Sequence, residues 1–391
     1  MKIRLIHKFE DIISLENLLS AWQEFLRGKR SRLDVQKFSF NLMDNVFSLH
    51  HDLLYQNYKH GGYEAFKIND PKPRDIHKAS VRDRLLHHAV YRILYPFFAK
   101  TFIADSYSCQ VDKGAHKALN KFRQFSYKSS KNNTQTCYVL KGDIRKFFAS
   151  IDHDILLEIL NEYIPDKNII WLLEKIISSF SSTRNGIGLP LGNLTSQLFV
   201  NIYMNKFDQF VKHKLKNKQS LPPPLTPPLA GGEFLFNQFV ECELITKRHC
   251  LLCHSREGGN PVQAQESWIP AFAGMTRKKV DYIRYADDFV IFSDSKEWLV
   301  GVIPVIKNFL SVELKLELHP DKLFIKTIAS GVDFLGWVNF PDHRVLRTKT
   351  KRRMMNRAGQ GDNPASIASY LGLLNYGNAF KIRKKLLDSL L

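Results

Sequence analysis

The stretch DYIRYADDFVIFS, residues 281–293, limits most strongly what this chain can fold into. Its two halves are rich in aromatic and β-branched residues, which is typical of buried strands. Between them Asp287 and Asp288 stand side by side, where their charges repel. An exposed turn explains an isolated Asp pair, because Asp is common in turns. Here the apolar flanks favour a β-hairpin whose tip binds divalent cations, which prefer carboxylate oxygens.

A site for two metal ions needs another carboxylate from elsewhere in the chain, also at the end of a buried strand. Asp143 meets this requirement, since the apolar run YVL at 138–140 leads into it. Ile144 follows with a backbone carbonyl that can also bind a metal. Taken alone, Asp143 is explained equally well by a strand-end cap or by an ion pair with Arg145.

The charge of the chain points to a polyanionic partner. The sequence contains 57 Lys and Arg against 38 Asp and Glu, a formal net charge of +19. Such a field attracts nucleic acids or anionic membrane surfaces. No apolar run approaches the ~18 to 20 residues that span a bilayer, which argues against a membrane. Glu10, Asp11 and Glu16 interrupt the apolar core that a signal peptide needs, so we expect a cytoplasmic protein.

The order of helical and strand patterns predicts a mixed, α+β fold. Apolar residues recur at helical spacing over 9–57 and 81–100, and we expect Pro96 to bend or end the second helical stretch. Between these helices, the pattern of residues 66–80 is that of an exposed basic loop or hairpin. The other predicted elements are a strand leading into a helix at 137–160 with Asp152 or Asp154 as its cap, a turn followed by a helix at 186–215, β-rich runs from 280 through 313–325 and 332–340, and basic helices in the tail.

Three motifs, in a fixed order, resemble those of the reverse transcriptases. Asp143 matches the first catalytic aspartate of the polymerase palm, and YADD at 285–288 matches the hairpin that carries the other two. GLPLGNLTSQ at 188–197 is similar to the Gly-rich turn that opens a helix between these motifs. The resemblance implies a right-hand polymerase with fingers, a palm of antiparallel sheet packed on helices, and a helical thumb. The implied ligands of two Mg²⁺ ions are Asp143, Ile144, Asp287 and Asp288.

The resemblance assigns further residues to substrates. KPRDIHKASVRDR at 72–84 is similar to the fingers motif whose cations face the triphosphate, because guanidinium groups bind phosphate oxygens bidentately. Phe148 matches an aromatic ring that excludes a ribose 2′-hydroxyl, with an ordinary core Phe as the alternative. The implied nucleotide-binding residues are Lys72, Arg74, Phe148, Leu191, Gly192, Gln197 and Lys322. The implied primer- and template-binding residues are Tyr285, Gly336, Trp337, Arg344, Arg347, Lys351 and Arg352.

One segment, residues 219–276, differs abruptly in composition, with a Pro-rich run and paired glycines. Parts of it resemble translated bacterial intergenic repeats, so we predict a repeat-derived insertion that forms a disordered loop. An alternative is that it displaces the hairpin and leaves an RNA-binding protein without catalysis. The predicted segments are N-terminal helices and fingers at 1–105, palm and fingers with the first aspartate at 106–218, the insertion at 219–276, palm with the YADD hairpin and primer grip at 277–342, and a basic helical thumb at 343–391.

The Gly-rich turn also suggests a subtype. Its ending, Ser196 and Gln197, resembles the reverse transcriptases of diversity-generating retroelements, whereas group II intron enzymes usually end in Ser-Pro. Leu191 stands where many replicative enzymes carry Gln, and an aliphatic side chain cannot hydrogen-bond near the nucleotide. The resemblance implies error-prone copying of a template-repeat RNA at adenines, and a small basic oligomeric accessory protein as partner. A group II-type or phage-defence reverse transcriptase is the alternative.

Overall fold

The computed structural model of the protein describes residues 3–69, 73–215, 280–358 and 364–388. Lys72 and the predicted insertion at 219–276 lie outside these ranges, so both stay predictions. Helices and antiparallel strands are mixed along the described chain, which confirms the α+β class. No helix in these ranges is long and apolar enough to cross a membrane.

The described N-terminal part is helical, as the apolar spacing predicts. Two of its helices begin at serine caps, because Ser14 Oγ accepts a hydrogen bond from the Asn17 amide and Ser80 Oγ accepts one from the Asp83 amide. Pro96 lies inside the last of these helices, close to its end. Their bounds are α1 Phe9–Ile13, α2 Leu15–Phe25, α3 Leu33–Phe40, α4 Leu42–Leu54 and α5 Val81–Phe98.

The basic segment between α4 and α5 forms an antiparallel hairpin, which is one of the two predicted alternatives. Strand β1, Tyr63–Ile68, pairs with β2, Arg74–Ala79, over its full length. Most of the side chains on the hairpin are exposed or half-buried. The amide of His77 in β2 donates to the carbonyl of Leu191 (2.9 Å), so the hairpin is hydrogen-bonded to the Gly-rich turn.

A four-stranded antiparallel sheet follows, in which strands from distant parts of the chain meet. The two central strands, β3 and β5, bury nearly all their side chains, which accounts for their apolar composition. Strands β4 and β5 are joined by the two-residue turn Ala286–Asp287, which confirms the predicted hairpin. The strands are β3 Tyr138–Asp143, β4 Asp281–Tyr285, β5 Asp288–Ser293 and β6 Phe324–Thr327, in the order β4-β5-β3-β6.

The register of β3 against β5 is fixed by one close contact. Gly142 lies opposite Phe289, and a Cβ at Gly142 would come within 2.3 Å of the Phe289 ring. Glycine is therefore required there. A slip of one residue would move each side chain of β3 to the other face of the sheet, so this register is what places Asp143 opposite Asp288.

Helices cover both faces of this sheet. On one face Ile283 and Phe292 pack with Phe122 of α6 (Ala115–Ser129). On the other face Tyr282 and Phe289 contact Phe207 of α9 (Leu194–Gln209) edge to face. Neighbouring strand residues point to opposite faces, so β4 and β5 are apolar on both sides. The other described helices of this region are α7 His153–Tyr163, which Asp152 caps, α8 Lys167–Ser178 and α10 Lys296–Leu314.

The β-rich interpretation of residues 313–325 is wrong for most of that segment. Helix α10 extends to Leu314, and β6 begins only at Phe324. The apolar side chains of α10 recur every three or four residues from Leu299 onward and are buried. Its Val and Ile residues favour strands locally, but burial of the helical stripe determines the outcome.

The tail also departs from its prediction at one point. The basic helices are present, but strand β9, Arg344–Leu346, precedes them and pairs with β8, Trp337–Asn339. The predicted boundary between 342 and 343 therefore falls within a three-stranded antiparallel sheet. The remaining elements of this region are β7 Val332–Phe334, α11 Thr348–Ala358, α12 Pro364–Leu374 and α13 Phe380–Asp388.

One lysine joins the residues on either side of the predicted insertion. After α9 the chain continues as a π-helical turn, Phe210–Lys214. Within this turn Lys212 Nζ donates to Asp105 Oδ2 (2.8 Å) and to the carbonyl of Val280 (3.1 Å). The chain thus leaves the described fold near Lys212 and returns to it within reach of the same side chain.

We predict that replacing residues 219–276 with a short Gly-Ser linker leaves the melting temperature within about 3 °C of the parent, because Lys212 holds the two flanks together and a shorter loop costs less closure entropy. Differential scanning calorimetry measures this. Lys212→Met is the matched comparison, since it breaks the contact between the flanks and keeps the segment. We expect the melting temperature of Lys212→Met to drop further, by about 5 °C. A linker variant that melts lower than Lys212→Met would contradict the prediction.

Candidate active site

The structure brings the three predicted aspartates to one end of the central sheet. Asp143 is the last residue of β3 and lies opposite Asp288, the first residue of β5. Asp287 occupies the adjoining turn, and its carbonyl accepts the amide of Ile144 (3.2 Å). Asp143 is 6% exposed and Ile144 is 1% exposed. These four residues were all predicted as metal ligands.

Two lysines contact the aspartates. Lys322 Nζ lies 2.9 Å from Asp143 Oδ1, and Lys141 Nζ lies 3.4 Å from Asp288 Oδ1. Lys322 was predicted near the nucleotide, whereas Lys141 was missed. The signal for Lys141 was present, because residues two apart on a strand share a face, and Lys141 precedes Asp143 by two.

Burial and the closeness of like charges both disfavour the ionised carboxylates. Burial, followed by the charges of Asp288 and Asp143, raises the pKa of Asp287 to about 6. Burial also raises the pKa of Asp288, and the Asp143 charge adds to this although Lys141 opposes it. Excess negative charge of this kind is relieved by cations.

The donor set fits divalent magnesium in its chemistry. Carboxylate and carbonyl oxygens are the hard ligands that Mg²⁺ prefers, and the raised pKa of Asp287 marks a place where positive charge is favourable. Among the described residues, no three His, Cys, Asp or Glu side chains already enclose a single metal position. Lys322 and Lys141 instead form ion pairs with two of the three carboxylates, Asp143 and Asp288.

The Gly-rich turn lies between the basic hairpin and the segment that follows β3. The carbonyl of Leu191 accepts the His77 amide, and the Leu189 amide donates to the carbonyl of Phe148 (2.8 Å). Gly192 has φ +114°, and a Cβ there would come within 2.9 Å of Ile76 Cγ2. The turn is thus bonded to both neighbours, and both a left-handed φ and a close approach require its glycine.

Three other predicted nucleotide-binding residues lie in elements that neighbour this turn in the chain or contact it. Phe148 is half-buried in a short 3₁₀ turn, Phe147–Ser150, shortly after Asp143. Gln197 is in the first turn of α9, and its side chain is partly accessible. Arg74 is exposed at the start of β2. Their roles in binding stay predictions.

The predicted primer-binding residues differ in accessibility. Tyr285 is half-buried at the end of β4, next to the aspartates. Gly336 has φ +86° in the two-residue turn between β7 and β8, and a Cβ there would meet no atom within 4 Å. The Trp337 side chain is 1% exposed and packs in the core. At Trp337 only the backbone is available to a primer strand.

The predicted phosphate-binding cations are partly engaged within the protein. Arg344 Nη2 donates to Asn120 Oδ1 (3.1 Å), and burial lowers the pKa of Arg344. Arg347 forms an ion pair with Asp333. Lys351 and Arg352, in the first half of α11, are exposed. Lys351 and Arg352 are therefore more accessible to a phosphate than Arg344 and Arg347.

A buried arginine next to the hairpin tip was not predicted. Arg284 in β4 is completely buried and forms an ion pair with Asp208 of α9. Burial would lower the pKa of Arg284, but the charge and hydrogen bonds of Asp208 raise it above its ordinary value. The available signal was a charged residue inside the apolar strand DYIRY, on the same face as Tyr282.

We predict that Asp287→Asn stabilises the metal-free protein by about 1 kcal/mol at pH 7.5. The pKa of Asp287 is raised from 3.8 to about 6, so its ionised form destabilises the folded state fully above pH 6. Below about pH 4 the group is protonated in both states. The advantage of the variant should therefore shrink between pH 6 and pH 4. Urea unfolding in EDTA at pH 7.5 and 4.5 measures this, with the exposed Asp342→Asn as control; a gain that grows on acidification would contradict it.

Comparison with curated proteins identifies relatives of the chain. It is 27% identical over 303 residues to "Group II intron-encoded protein LtrA" of Lactococcus lactis, covering 73% of this chain and 47% of that protein. It is 24% identical over 325 residues to "Putative COX1/OXI3 intron 2 protein" of Saccharomyces cerevisiae, covering 80% of this chain and 34% of that protein. It is 23% identical over 301 residues to "Nuclear intron maturase 1, mitochondrial" of Arabidopsis thaliana, covering 68% of this chain and 40% of that protein. The chain thus spans about half or less of these relatives.

A family model also matches the chain. "Reverse transcriptase (RNA-dependent DNA polymerase)" matches residues 67–221 and 262–338, which together are more than half of the sequence. The two matched segments contain the three aspartates and the Gly-rich turn. The unmatched residues between them lie within the predicted insertion. The chain therefore belongs to the reverse transcriptase family.

Proposed function

We propose that the protein is an RNA-directed DNA polymerase that extends a primer on an RNA template with deoxynucleoside triphosphates. The observation that carries this proposal is the meeting of Asp143, Asp287 and Asp288 at one end of the sheet, where the raised pKa of Asp287 favours added positive charge. Membership of the reverse transcriptase family agrees with it.

The reaction is in-line attack of the primer 3′-hydroxyl on the α-phosphate, with pyrophosphate leaving. Asp143, Asp287, Asp288 and the Ile144 carbonyl would hold two Mg²⁺ ions, which when bound activate the hydroxyl and stabilise charge on the leaving oxygens. Lys322, which contacts Asp143, would bind the pyrophosphate oxygens when cations occupy the carboxylates. Lys141 keeps Asp288 oriented on the sheet.

The fingers, palm and thumb layout belongs to the same proposal. The β1–β2 hairpin would be the fingers element that places Arg74 and Lys72 at the triphosphate. The four-stranded sheet with α6, α9 and α10 would be the palm. The bonds from Leu191 to His77 and from Leu189 to Phe148 support a nucleotide site between them. In that site the Phe148 ring would exclude a ribose 2′-hydroxyl.

The C-terminal elements would serve the duplex. The β7–β8 turn with Gly336 would approach the primer, and α11 would be the first thumb helix. Exposed Lys351 and Arg352 would contact backbone phosphates together with Arg344 and Arg347. Binding through such contacts should weaken steeply with salt.

We predict Mg²⁺-dependent DNA synthesis by the full chain on a primed RNA template. Asp287→Ala should reduce it by at least about a thousandfold, because it removes one of the three carboxylates that would hold the metal ions. Asp342→Ala removes an exposed carboxylate and should leave the rate unchanged. A primer-extension gel reports both variants. Synthesis that survives Asp287→Ala, or a folded parent without any synthesis, would overturn the proposed function.

The finer proposal is that this enzyme is of the diversity-generating retroelement type. It would copy a template-repeat RNA with errors at adenines, and a small basic oligomeric accessory protein would assist it in the cytoplasm. The Leu191 and Ser196-Gln197 positions support this interpretation. The group II-type alternative rests on the names of the relatives, several of which are intron-encoded proteins. An imperfect repeat next to the gene, differing at adenines, would distinguish them.

We predict that Leu191→Gln lowers misincorporation opposite template adenine by about tenfold, because an amide can hydrogen-bond near the nucleotide and an aliphatic chain cannot. Sequencing of cDNA made on a template containing all four bases measures the error at each base. Leu191→Met keeps an aliphatic side chain of similar size and serves as control. An unchanged adenine error rate in Leu191→Gln, at normal activity, would contradict the prediction.

A further inference from the structure

The buried guanidinium of Arg284 reaches the turn that carries the aspartates. Its Nη1 donates to the carbonyl of Ala286 (3.1 Å). Ala286 is the first residue of the two-residue turn and has φ +55°, a left-handed conformation that L-residues other than Gly adopt at a cost. Asp287 is the second residue of that turn. Arg284 therefore holds, from inside the protein, a turn that is strained at the position before Asp287.

The other side of the guanidinium is fixed to α9. Nε and Nη2 each donate to a different oxygen of Asp208, both at 2.8 Å. Such a two-point bond fixes the plane of the guanidinium as well as its position. The Tyr282 hydroxyl donates to the same carboxylate (2.7 Å). The turn and α9 are thus joined through one rigid, planar group.

Further bonds leave the guanidinium little freedom. Nη2 also donates to Ser106 Oγ (3.0 Å) and Asn201 Oδ1 (3.3 Å). The backbone of Arg284 is held on the edge of the sheet as well, since its amide donates to the Asp105 carbonyl and its carbonyl accepts the Tyr107 amide. Asn201 and Asp208 lie on the helix whose first turn carries Gln197.

We propose that Arg284 is a positioning residue for the polymerase reaction, which sets the orientation of the Ala286–Asp287 turn relative to α9. The inference rests on the proposed function only for its kinetic consequence. Arg284 thereby fixes the position of the hairpin tip that carries Asp287 relative to α9, the helix that begins at the Gly-rich turn. Asp208 acts through Arg284 and has no contact with substrate of its own in this scheme.

A merely stabilising ion pair predicts different behaviour from a positioning one. Loss of a stabilising pair loosens the whole fold and lowers activity in proportion to the folded fraction. Loss of a positioning contact leaves substrate binding intact, loosens the turn locally and slows the chemical step. A stabilising role and a positioning role therefore predict different changes in KM, in kcat and in local amide exchange.

The test compares the parent with two changes at the pair. Arg284→Met with Asp208→Asn removes both charges, so no unpaired charge is buried, and the amide oxygen of the substituted side chain remains as acceptor for Tyr282. Arg284→Lys keeps a cation that cannot bridge Asp208 and the Ala286 carbonyl at once. Lys128→Gln is the matched control, because it breaks an ion pair with Asp281 at the far end of the same strand.

In primer extension by full-length folded protein, we expect both Arg284 variants to lose about tenfold or more in kcat while KM for the nucleotide stays within about threefold. Lys128→Gln should match the parent. In hydrogen–deuterium exchange of the metal-free protein, the peptide covering residues 285–289 should exchange about tenfold faster in the Arg284 variants, with β3 and α6 unchanged.

Parent-like kcat in the double variant would overturn the proposal, and so would exchange that rises equally in β3, α6 and the turn. Should the double variant be insoluble, the same criteria apply to Arg284→Lys. The exchange measurement uses neither substrate nor metal. A parent without polymerase activity would therefore refute the proposed function while the exchange result still decides whether Arg284 fixes the turn.

Discussion

Pairing of β3 with β5 is the constraint on which the site depends. These strands come from parts of the chain that are far apart, and their register alone places Asp143 opposite Asp288. In this alignment Gly142 lies against the Phe289 ring, and any side chain at 142 would collide with that ring. A slip of one residue would move Asp143 to the other face, which α9 covers. The register thus determines the chemistry before any substrate binds.

Charge is distributed around this register in two layers. At the sheet end, three carboxylates are held close by strand geometry and are only partly offset by Lys141 and Lys322. Behind them, Arg284 and Asp208 form a fully compensated pair in the interior. The incompletely compensated layer is the one that contains the candidate metal ligands. If the carboxylates at the sheet end were as fully paired as Asp208, no excess negative charge would remain there to attract a cation.

Much of this arrangement was predictable from local sequence. The adjacent aspartates between apolar runs indicated the hairpin, the run before Asp143 indicated the second strand, and Asp152 indicated a helix cap. Each of these signals lies within a few residues of the feature it predicts. Helix α10 was missed because its β-branched residues favour strands locally, whereas its burial against the sheet depends on distant residues.

The unpredicted parts of the site share a cause. Lys141 and Arg284 acquire their partners from strands and helices that are remote in sequence, so the nearby pattern showed which face of the strand they share but not what they contact. Trp337 illustrates a different limit, because a motif match assigned it to a primer while the fold buries its side chain and leaves only its backbone available. Motif resemblance locates backbone positions well, but whether a side chain is accessible depends on tertiary packing.

The lysine that bridges Asp105 and Val280 has a consequence for engineering. Because the chain departs and returns at neighbouring points, extra polypeptide at that position need not stretch any strand or helix. A folded reporter whose own termini are close could be carried there without altering the sheet. The molecule therefore offers an internal attachment point on its own scaffold, away from both chain ends.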